Sequence, residues 1–144
     1  MLLGEFDHTI DDKNRVTLPA RFRETFAEGA VMTRGMDGCL SVYPRGVWER
    51  LAEERLGGLD TLTPEGRRLE RYFYSAAAEV DLDRQGRMVI PGRLSRYAEL
   101  GKDVVVAGLR DRVEIWDRDA WGRERDDIEG SAEHVAERIA GRRD

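Results

Sequence analysis

A motif of thirteen residues occurs twice in this chain, and the repeat is the feature that most limits how the chain folds. The first copy covers residues 10–22 and the second covers residues 82–94. Aspartate, arginine and proline occupy the same places in both copies, at Asp11 and Asp83, Arg15 and Arg87, and Pro19 and Pro91. A period near half the chain length is too long for a solenoid unit, so the repeat predicts a tandem duplication of one small domain.

The similarity extends beyond the motif. Residues 31–48 align with residues 104–121 after an insertion of one residue, which places Gly35 on Gly108 and Trp48 on Trp121. The matched tryptophans are expected to act as core or interface anchors. A half of about 70 residues buries little apolar surface, so we expect the halves to share a core or to oligomerise.

These features divide the chain into four segments. We expect a first module at residues 1–58, a helical joint at 59–75, a second module at 76–122 and a charged C-terminal tail at 123–144. In the first module, residues 5–10 and 16–18 are predicted to form the arms of a hairpin, followed by a short helix that begins at Pro19 and ends at Gly29. Thr63 and Pro64 predict a helix start in the joint. The tail is expected to be a frayed helix or disordered, because few of its residues are apolar.

The spacing Asp-x-x-x-Arg predicts a three-residue hairpin loop in each copy. Such a loop commonly places its last residue in the left-handed backbone conformation, which glycine and asparagine tolerate best. Asn14 and Gly86 occupy that place. The loop then sets the aspartate beside the arginine, close enough for an ion pair.

An aspartate that holds an arginine in one rotamer prepares the guanidinium to bind a planar anion such as phosphate. The alternative is a solvated hairpin whose surface salt bridge contributes at most about 1 kcal/mol. The recurrence of the same turn chemistry favours the binding function. Lys13 and Arg84 lie within the two loops and would add positive charge at the tips.

The net charge of −5 does not exclude nucleic acid as a partner, because the charge is unevenly spread. Residues 11–23 contain four basic and two acidic side chains, and residues 83–96 contain four basic and one acidic. Residues 117–144 contain nine acidic and six basic side chains. Because the local field steers a phosphate backbone more than the net charge does, both motifs are candidate nucleic-acid sites.

Other function classes find little support. No apolar run is long enough to span a membrane and no signal peptide is recognisable, so we expect a cytoplasmic protein. Cys39 is the only cysteine, which fits a reducing compartment. His8 and His134 have no second ligand at metal spacing, and neither a nucleophile motif nor a glycine-rich phosphate loop occurs. The sequence therefore predicts no enzyme, no metal or other cofactor and no small-molecule substrate.

Residues 1–23, together with the second Asp-x-x-x-Arg copy, resemble the MraZ family of bacterial transcriptional regulators, which are built from two SpoVT-AbrB-like halves. The resemblance extends to about residue 123. The chain departs from the family pattern at Asn14, where the first turn usually has glycine. Asparagine tolerates the same backbone conformation, so we expect the turn to form.

The resemblance implies an α+β fold that is mainly β, namely a duplicated AbrB-like barrel of swapped hairpins with short helices. It also implies a ring-shaped homo-oligomer, cytoplasmic and nucleoid-associated, that binds short direct repeats of double-stranded DNA in a promoter ahead of division and cell-wall genes. The candidate site comprises six basic residues, two orienting acids and two turn residues: Lys13, Arg15, Arg21, Arg84, Arg87 and Arg93; Asp11 and Asp83; Asn14 and Gly86.

The sequence allows alternative roles for two arginines and alternative functions for the chain. Arg21 and Arg93 begin short helices, where they would either clamp phosphate or pair across subunits. An antitoxin-like repressor with a toxin partner is one alternative function. A structural ring protein, whose duplicated hairpins serve as assembly edges without DNA, is another.

Overall fold

The computed structural model describes residues 1–143, which fold into antiparallel strands and helices of an α+β protein. The strands are β1 (Leu2–Thr9), β2 (Arg15–Thr17), β3 (Ala30–Arg34), β4 (Leu40–Pro44), β5 (Ala78–Val80), β6 (Arg87–Val89), β7 (Asp103–Arg110) and β8 (Val113–Asp117). The helices are α1 (Arg45–Leu51), α2 (Pro64–Tyr74), α3 (Gly92–Tyr97) and α4 (Arg118–Arg143). Short 3-10 turns occur at Ala20–Phe22, Glu24–Phe26 and Met36–Gly38, and a π-helical turn at Ala52–Leu56 extends α1.

Strands from the two halves of the chain are interleaved in one sheet. Six strands follow the order β1-β7-β8-β4-β3-β5, and β2 and β6 form a separate two-stranded ribbon. The first strand of each half pairs with the third strand of the other, as β1 with β7 and β5 with β3. The second strands pair with each other, and so do the fourth strands. Closure of these sheets into a barrel stays a prediction.

The exchange of strands gives both halves a single core. Phe22 and Phe26 of the first half and Leu94 and Ile115 of the second half belong to one buried cluster. Val16, in the same cluster, has no exposed surface. The expectation that the small halves share a core is therefore confirmed.

The predicted arms of the first hairpin do not form a two-stranded hairpin. Across the loop, only Ile10 and Val16 form a single bridge. The reason is that β1 takes its hydrogen-bond partner from β7, and β2 takes its partner from β6. The turn itself forms as predicted, but the strands that leave it pair with the other half of the chain.

The pairing of the third strands also corrects the sequence alignment by one residue. Val31 lies opposite Tyr43, and Val105 lies opposite Trp116. Because Tyr43 and Trp116 occupy matching places, the structural counterpart of Val31 is Val105 and not Val104. Relative to the first half, the second half therefore has two additional residues between Pro91 and β7, and one residue fewer in the loop between β7 and β8.

The helix expected after Pro19 forms two consecutive 3-10 turns, which still bury Phe22 and Phe26. The start of α2 agrees with its sequence signal: the Thr63 hydroxyl accepts a hydrogen bond of 3.0 Å from Gly66 N, and Pro64 occupies the first helical position. A proline there has the backbone angle that a helix requires.

The C-terminal segment is a continuous helix, which agrees with the helical alternative for the tail and not with the disordered one. α4 runs from Arg118 to Arg143 in one piece. Its glutamate, arginine and alanine residues all have high helix propensity, although few of its side chains are apolar. Low hydrophobicity alone is therefore a poor guide to disorder in a segment of such composition.

Candidate nucleic-acid interface

The first turn is held together by one carboxylate. Asp11 Oδ1 accepts hydrogen bonds of 2.9 Å from both Lys13 N and Arg15 N, and Asp11 Oδ2 accepts one of 2.8 Å from Arg15 Nε. Asn14, at φ 59°, lies in the left-handed region. Its backbone N–H closes the turn onto Asp11 O at 3.0 Å. The Arg15 guanidinium is thereby fixed relative to the backbone.

The second turn repeats this geometry. Asp83 Oδ1 accepts hydrogen bonds of 2.9 Å from Gln85 N and Arg87 N, and Asp83 Oδ2 accepts one of 2.7 Å from Arg87 Nε. Gly86 has φ 77° and occupies the place of Asn14. Two unrelated loop sequences thus form the same structure, in which an aspartate holds the arginine four residues later; we call it the arginine clamp. The structure is the same because both copies have the aspartate and the residue in the left-handed conformation.

Each turn is also bonded to the opposite half of the chain. Ile90 N donates to Asn14 O, and Leu18 N donates to Gly86 O, both at 2.9 Å. The Asn14 side chain donates a further hydrogen bond to Ile90 O. Asparagine therefore contributes a side-chain contact that a glycine at this place would lack. These bonds fix the two turns at the ends of the β2–β6 ribbon.

Arg23 restricts the second turn further. Its Nε donates to Leu18 O at 3.3 Å. A Cβ added to Gly86 would lie 2.2 Å from Arg23 Nε, which is far inside van der Waals contact. Its positive φ therefore favours glycine at position 86, and a larger residue there would also displace the Arg23 side chain.

The ribbon has one buried and one outward face, because side chains alternate along each strand. Val16 and Met88 point into the core and are at most 1% exposed. The residues before and after Val16 and Met88 point outward. They are Arg15 and Thr17 in β2, and Arg87 and Val89 in β6. Val89 is 54% exposed, although it is apolar.

Thr17 and Val89 were missed by the sequence analysis, which considered the loops and not the strands beside them. The signal that would have identified them is alternation: each lies two residues from an arginine of the motif. Thr17 pairs with Arg87 and Val89 pairs with Arg15 across the ribbon. All four side chains therefore form one small surface, named here the ribbon face.

The two arginines of the ribbon face are diagonal neighbours. Arg15 lies opposite Val89, two residues from Arg87, and such a diagonal separates Cα atoms by about 7–8 Å. In each guanidinium the ion pair to aspartate uses Nε. The terminal nitrogens make no hydrogen bond or ion pair within residues 1–143 and can donate to an external acceptor.

The clamping carboxylates stay ionised at neutral pH. Burial raises the pKa of Asp11, but hydrogen bonds from Arg15 and Lys13 outweigh it and hold the pKa below its ordinary value. For Asp83 the backbone hydrogen bond from Arg87 has the largest influence and also lowers the pKa. Each pair therefore keeps its charge, and its geometry, throughout the neutral range.

The remaining candidate residues lie around the ribbon face rather than on it. Lys13 and Arg84 are exposed in the two loops. Arg21 stacks over the Phe6 ring at 5.5 Å, and Arg93 Nη2 donates to Ala76 O at 3.4 Å. The structure thus brings Arg15 and Arg87 together, and holds Arg21 and Arg93 against neighbouring groups of their own chain.

Neither a metal-binding cluster nor a membrane-spanning helix occurs in the part of the chain that the structure describes. Residues 1–143 contain no cluster of three or more histidine, cysteine, aspartate or glutamate side chains suited to a metal ion. Of the helices described, none combines the length and the apolar character needed to cross a bilayer.

Comparison with known proteins places the chain in a family. A family model described as "MraZ protein, putative antitoxin-like" matches twice, over residues 1–71 and 73–143. The chain belongs to the MraZ family. Each match contains one clamped turn, so the MraZ domain is duplicated, as the internal repeat predicted.

Curated members of the MraZ family resemble the chain over most of its length. The Transcriptional regulator MraZ of Roseiflexus castenholzii is 46% identical over 140 residues, which cover 97% of both chains. That of Heliobacterium modesticaldum is 45% identical over 139 residues, or 96% of both chains. That of Moorella thermoacetica is 49% identical over 121 residues, or 84% of both. The chain is accordingly a transcriptional regulator of the MraZ family and not an enzyme.

Proposed function

We propose that this MraZ-family regulator binds short repeats in promoter DNA through the ribbon face and its two flanking turns. The observation that carries the proposal is the pair of clamped arginines, Arg15 and Arg87, on one face of a two-stranded ribbon. The major groove of B-DNA admits a two-stranded β-ribbon, and bidentate arginine contacts to guanine O6 and N7 are common there.

Each group on the ribbon face has a chemical counterpart on DNA. Arg15 and Arg87 donate through their terminal nitrogens to guanine edges or to phosphate. Thr17 and Val89 offer methyl groups that pack against the methyl of thymine. Lys13 and Arg84, in the exposed loops, neutralise flanking phosphates and set the register of the ribbon.

Asp11 and Asp83 act as positioning residues in this mechanism. A carboxylate facing DNA repels phosphate, but these two are occupied by hydrogen bonds from the arginine side chain and from backbone N–H groups. They restrict the arginine rotamers before DNA arrives. Binding then requires less ordering of the side chains, which increases affinity.

The proposal includes a cytoplasmic, nucleoid-associated ring that meets several repeats ahead of division and cell-wall genes, which the family resemblance implies. When several copies are joined in one ring, every contact with DNA after the first becomes intramolecular. A ribbon face with only four outward side chains is then sufficient for tight binding to DNA, because effective concentration strengthens the combined weak contacts.

A gel-shift titration on the region upstream of the protein's own gene tests the proposal, with scrambled DNA as competitor and two salt concentrations. If Lys13, Arg15, Arg84 and Arg87 each neutralise one phosphate, affinity falls about 100-fold between 50 and 200 mM salt. Selective, salt-sensitive retardation supports the regulator mechanism. Absence of retardation at low salt contradicts it and favours a ring with a purely structural role.

The family description names an antitoxin-like protein, which favours a second candidate function. An antitoxin-like repressor would use the same ribbon face on DNA and a different surface for a toxin protein. The two functions differ in one simple observation. A toxin would co-purify in a fixed ratio with the chain, whereas a regulator without such a partner is purified alone and still retards promoter DNA.

A further inference from the structure

α4 carries an apolar stripe that does not belong to the buried core of residues 1–143. α4 packs mainly on β7 and β8. Its side-chain bonds to the body come from its first turns, at Arg118, Trp121 and Arg125. Beyond them, Ile128, Val135 and Ile139 are 46%, 37% and 46% exposed. With Ala132 they follow the spacing 4-3-4, which places all four on one side of the helix. An aliphatic stripe of this kind is the usual docking face of a helix.

The composition of α4 indicates that packing against a partner would stabilise the helix. Gly122, Gly130 and Gly141 lie inside the helix with open space around them, and each glycine costs a helix about 1 kcal/mol relative to alanine. Most helical stability in proteins comes from packing of an apolar face and not from propensity. Packing of the stripe against another surface would supply that stabilisation.

A concave surface beside α1 is a candidate to receive such a stripe. An open cavity of about 270 Å³ lies between α1, α2 and the β7–β8 turn. Its apolar walls are half-exposed side chains, and an adjoining cavity continues along α1 past Val47. We call this surface the aromatic groove, and its apolar lining consists of Tyr43, Trp48, Leu51, Leu56 and Phe73.

Trp48 gives the aromatic groove an anchor. Its ring centroid lies 5.7 Å from that of Tyr43 and 6.0 Å from that of Tyr74. The ring is thereby held in place while part of it stays exposed. Tryptophan is enriched among the few residues that dominate the binding energy of protein interfaces. Of the core and interface roles expected for Trp48, this geometry fits the interface role.

The charges of the two surfaces are opposite. Four arginines and only two acids line the two adjoining cavities: Arg50, Arg55, Arg110 and Arg112 against Glu54 and Asp111. Residues 126–137 of α4 contain five acidic side chains and no lysine or arginine. An aliphatic stripe flanked by acids matches an apolar groove rimmed by arginines, whereas an α4 that packed against a second α4 would meet its own charge.

We infer that α4 of one copy of this chain docks in the aromatic groove of a second copy. Because the helix and the groove are different surfaces, the contact is head-to-tail. Such contacts close into rings when the rotation between neighbours permits, and otherwise grow as filaments. The inference deepens the self-association part of the proposed function, and it is tested without DNA, so either can fail alone.

The experiment measures oligomer size by light scattering for two complementary variants of the full chain. Val135→Asp places a charge in the stripe and leaves the groove intact, and Trp48→Ala empties the groove and leaves the stripe intact. We expect each variant alone to need at least ten times the wild-type concentration to assemble. An equimolar mixture should form a 1:1 heterodimer, in which the intact helix of Trp48→Ala occupies the intact groove of Val135→Asp.

Matched variants separate docking from folding. Arg55→Glu reverses an exposed charge at the groove and should weaken assembly like Trp48→Ala, without emptying any packed site. His134→Asp lies on α4 outside the stripe, and Arg68→Glu lies on α2 outside the groove, so both should assemble as wild type does. Far-UV circular dichroism and melting temperature report whether each variant is folded.

Three outcomes would overturn the inference. A monomeric wild-type chain shows that neither surface associates. Normal assembly of Trp48→Ala and Arg55→Glu, with loss of assembly in Val135→Asp, shows that α4 pairs with another α4. Normal assembly of all the variants shows that copies meet through a different surface.

Discussion

Val16 and Met88 face each other across the β2–β6 ribbon, and each occupies the same place in its own copy of the motif. The fourth strands show the same relationship, since Ser41 lies opposite Glu114. Both pairs lie on an approximate twofold axis that relates the two halves. The axis makes Arg15 and Arg87 equivalent in position, in clamp geometry and in exposure to a ligand.

This equivalence predicts that the two arginines contribute equally to binding. Arg87→Ala should weaken promoter binding to the same degree as Arg15→Ala, because each removes one clamped guanidinium from the same face. A bidentate contact contributes about 1–3 kcal/mol, or roughly 5- to 150-fold in affinity. Fluorescence anisotropy with labelled promoter DNA measures both, with Arg68→Ala as an exposed control. An affinity of Arg87→Ala equal to wild type would mean that only the first copy reads DNA.

The variant Asp11→Asn distinguishes two effects of the Asp11 carboxylate on DNA binding: its orientation of Arg15 and its negative charge. The substitution removes a negative charge, so steering alone predicts tighter DNA binding. The clamp predicts weaker binding by several-fold, because an asparagine cannot accept all three of the hydrogen bonds that Asp11 accepts from Lys13 and Arg15 and lacks the charge that holds the guanidinium. The measurement is the same titration at low salt, where electrostatic steering is strongest. Tighter binding would reject the positioning role.

The clamp should not respond to pH in the neutral range. The pKa of Asp83, like that of Asp11, is lowered in the fold. A lowered carboxyl pKa contributes stability above the unfolded value of about 3.9, and loses it as pH falls through the folded value. DNA binding measured at intervals from about pH 6 to 8 should therefore show no step attributable to these acids.

His8 should make the fold sensitive to mild acid. Burial is the main influence that lowers its pKa, Asp7 opposes it and Arg23 adds to it. The unfolded chain then binds the proton more readily, so stability is full above about pH 6.5 and falls as pH drops through the folded pKa. The melting temperature of wild type should fall more on acidification than that of His8→Gln. His134→Gln, on exposed α4, serves as control, and an equal fall in all three proteins would exclude His8 as the cause.

Two glycine substitutions should have opposite effects on stability. Gly86→Ala forces a side chain into the left-handed region, which costs about 1–2 kcal/mol, and brings Cβ to 2.2 Å from Arg23 Nε. Gly130→Ala fills open space inside α4 and should stabilise by about 0.5–1 kcal/mol. Thermal melts of the two variants should shift by a few degrees in opposite directions. A stable Gly86→Ala would show that the second turn tolerates a different geometry.

Features that depend on residues close together in the chain were predicted correctly from the sequence. The turn depends on residues four apart, so the pattern alone assigns Asn14 and Gly86 to the left-handed region, and their φ angles of 59° and 77° agree. The MraZ family and the duplication are likewise confirmed. The helix start at Thr63 follows from a cap that also acts locally.

Long-range pairing could not be predicted in the same way. Whether β1 meets its own hairpin arm or β7 depends on contacts about a hundred residues away, and alternation along a strand looks the same for either partner. The ribbon face was missed for this reason, since Thr17 joins Arg87 only when β2 pairs with β6. The continuity of α4 was not predicted, because a segment with so few apolar residues also fitted a disordered tail. The DNA-binding roles of the candidate residues stay predictions.

The most direct test of the account is the affinity of Arg15→Ala for repeats from its own promoter, measured by fluorescence anisotropy, with oligomer size measured by light scattering on the same sample. The account predicts that wild type and variant have the same size and melting temperature, while specific binding by the variant falls by at least about fivefold. Wild-type affinity in a folded, fully assembled Arg15→Ala protein would contradict it, because the ribbon face would then not be the surface that contacts DNA.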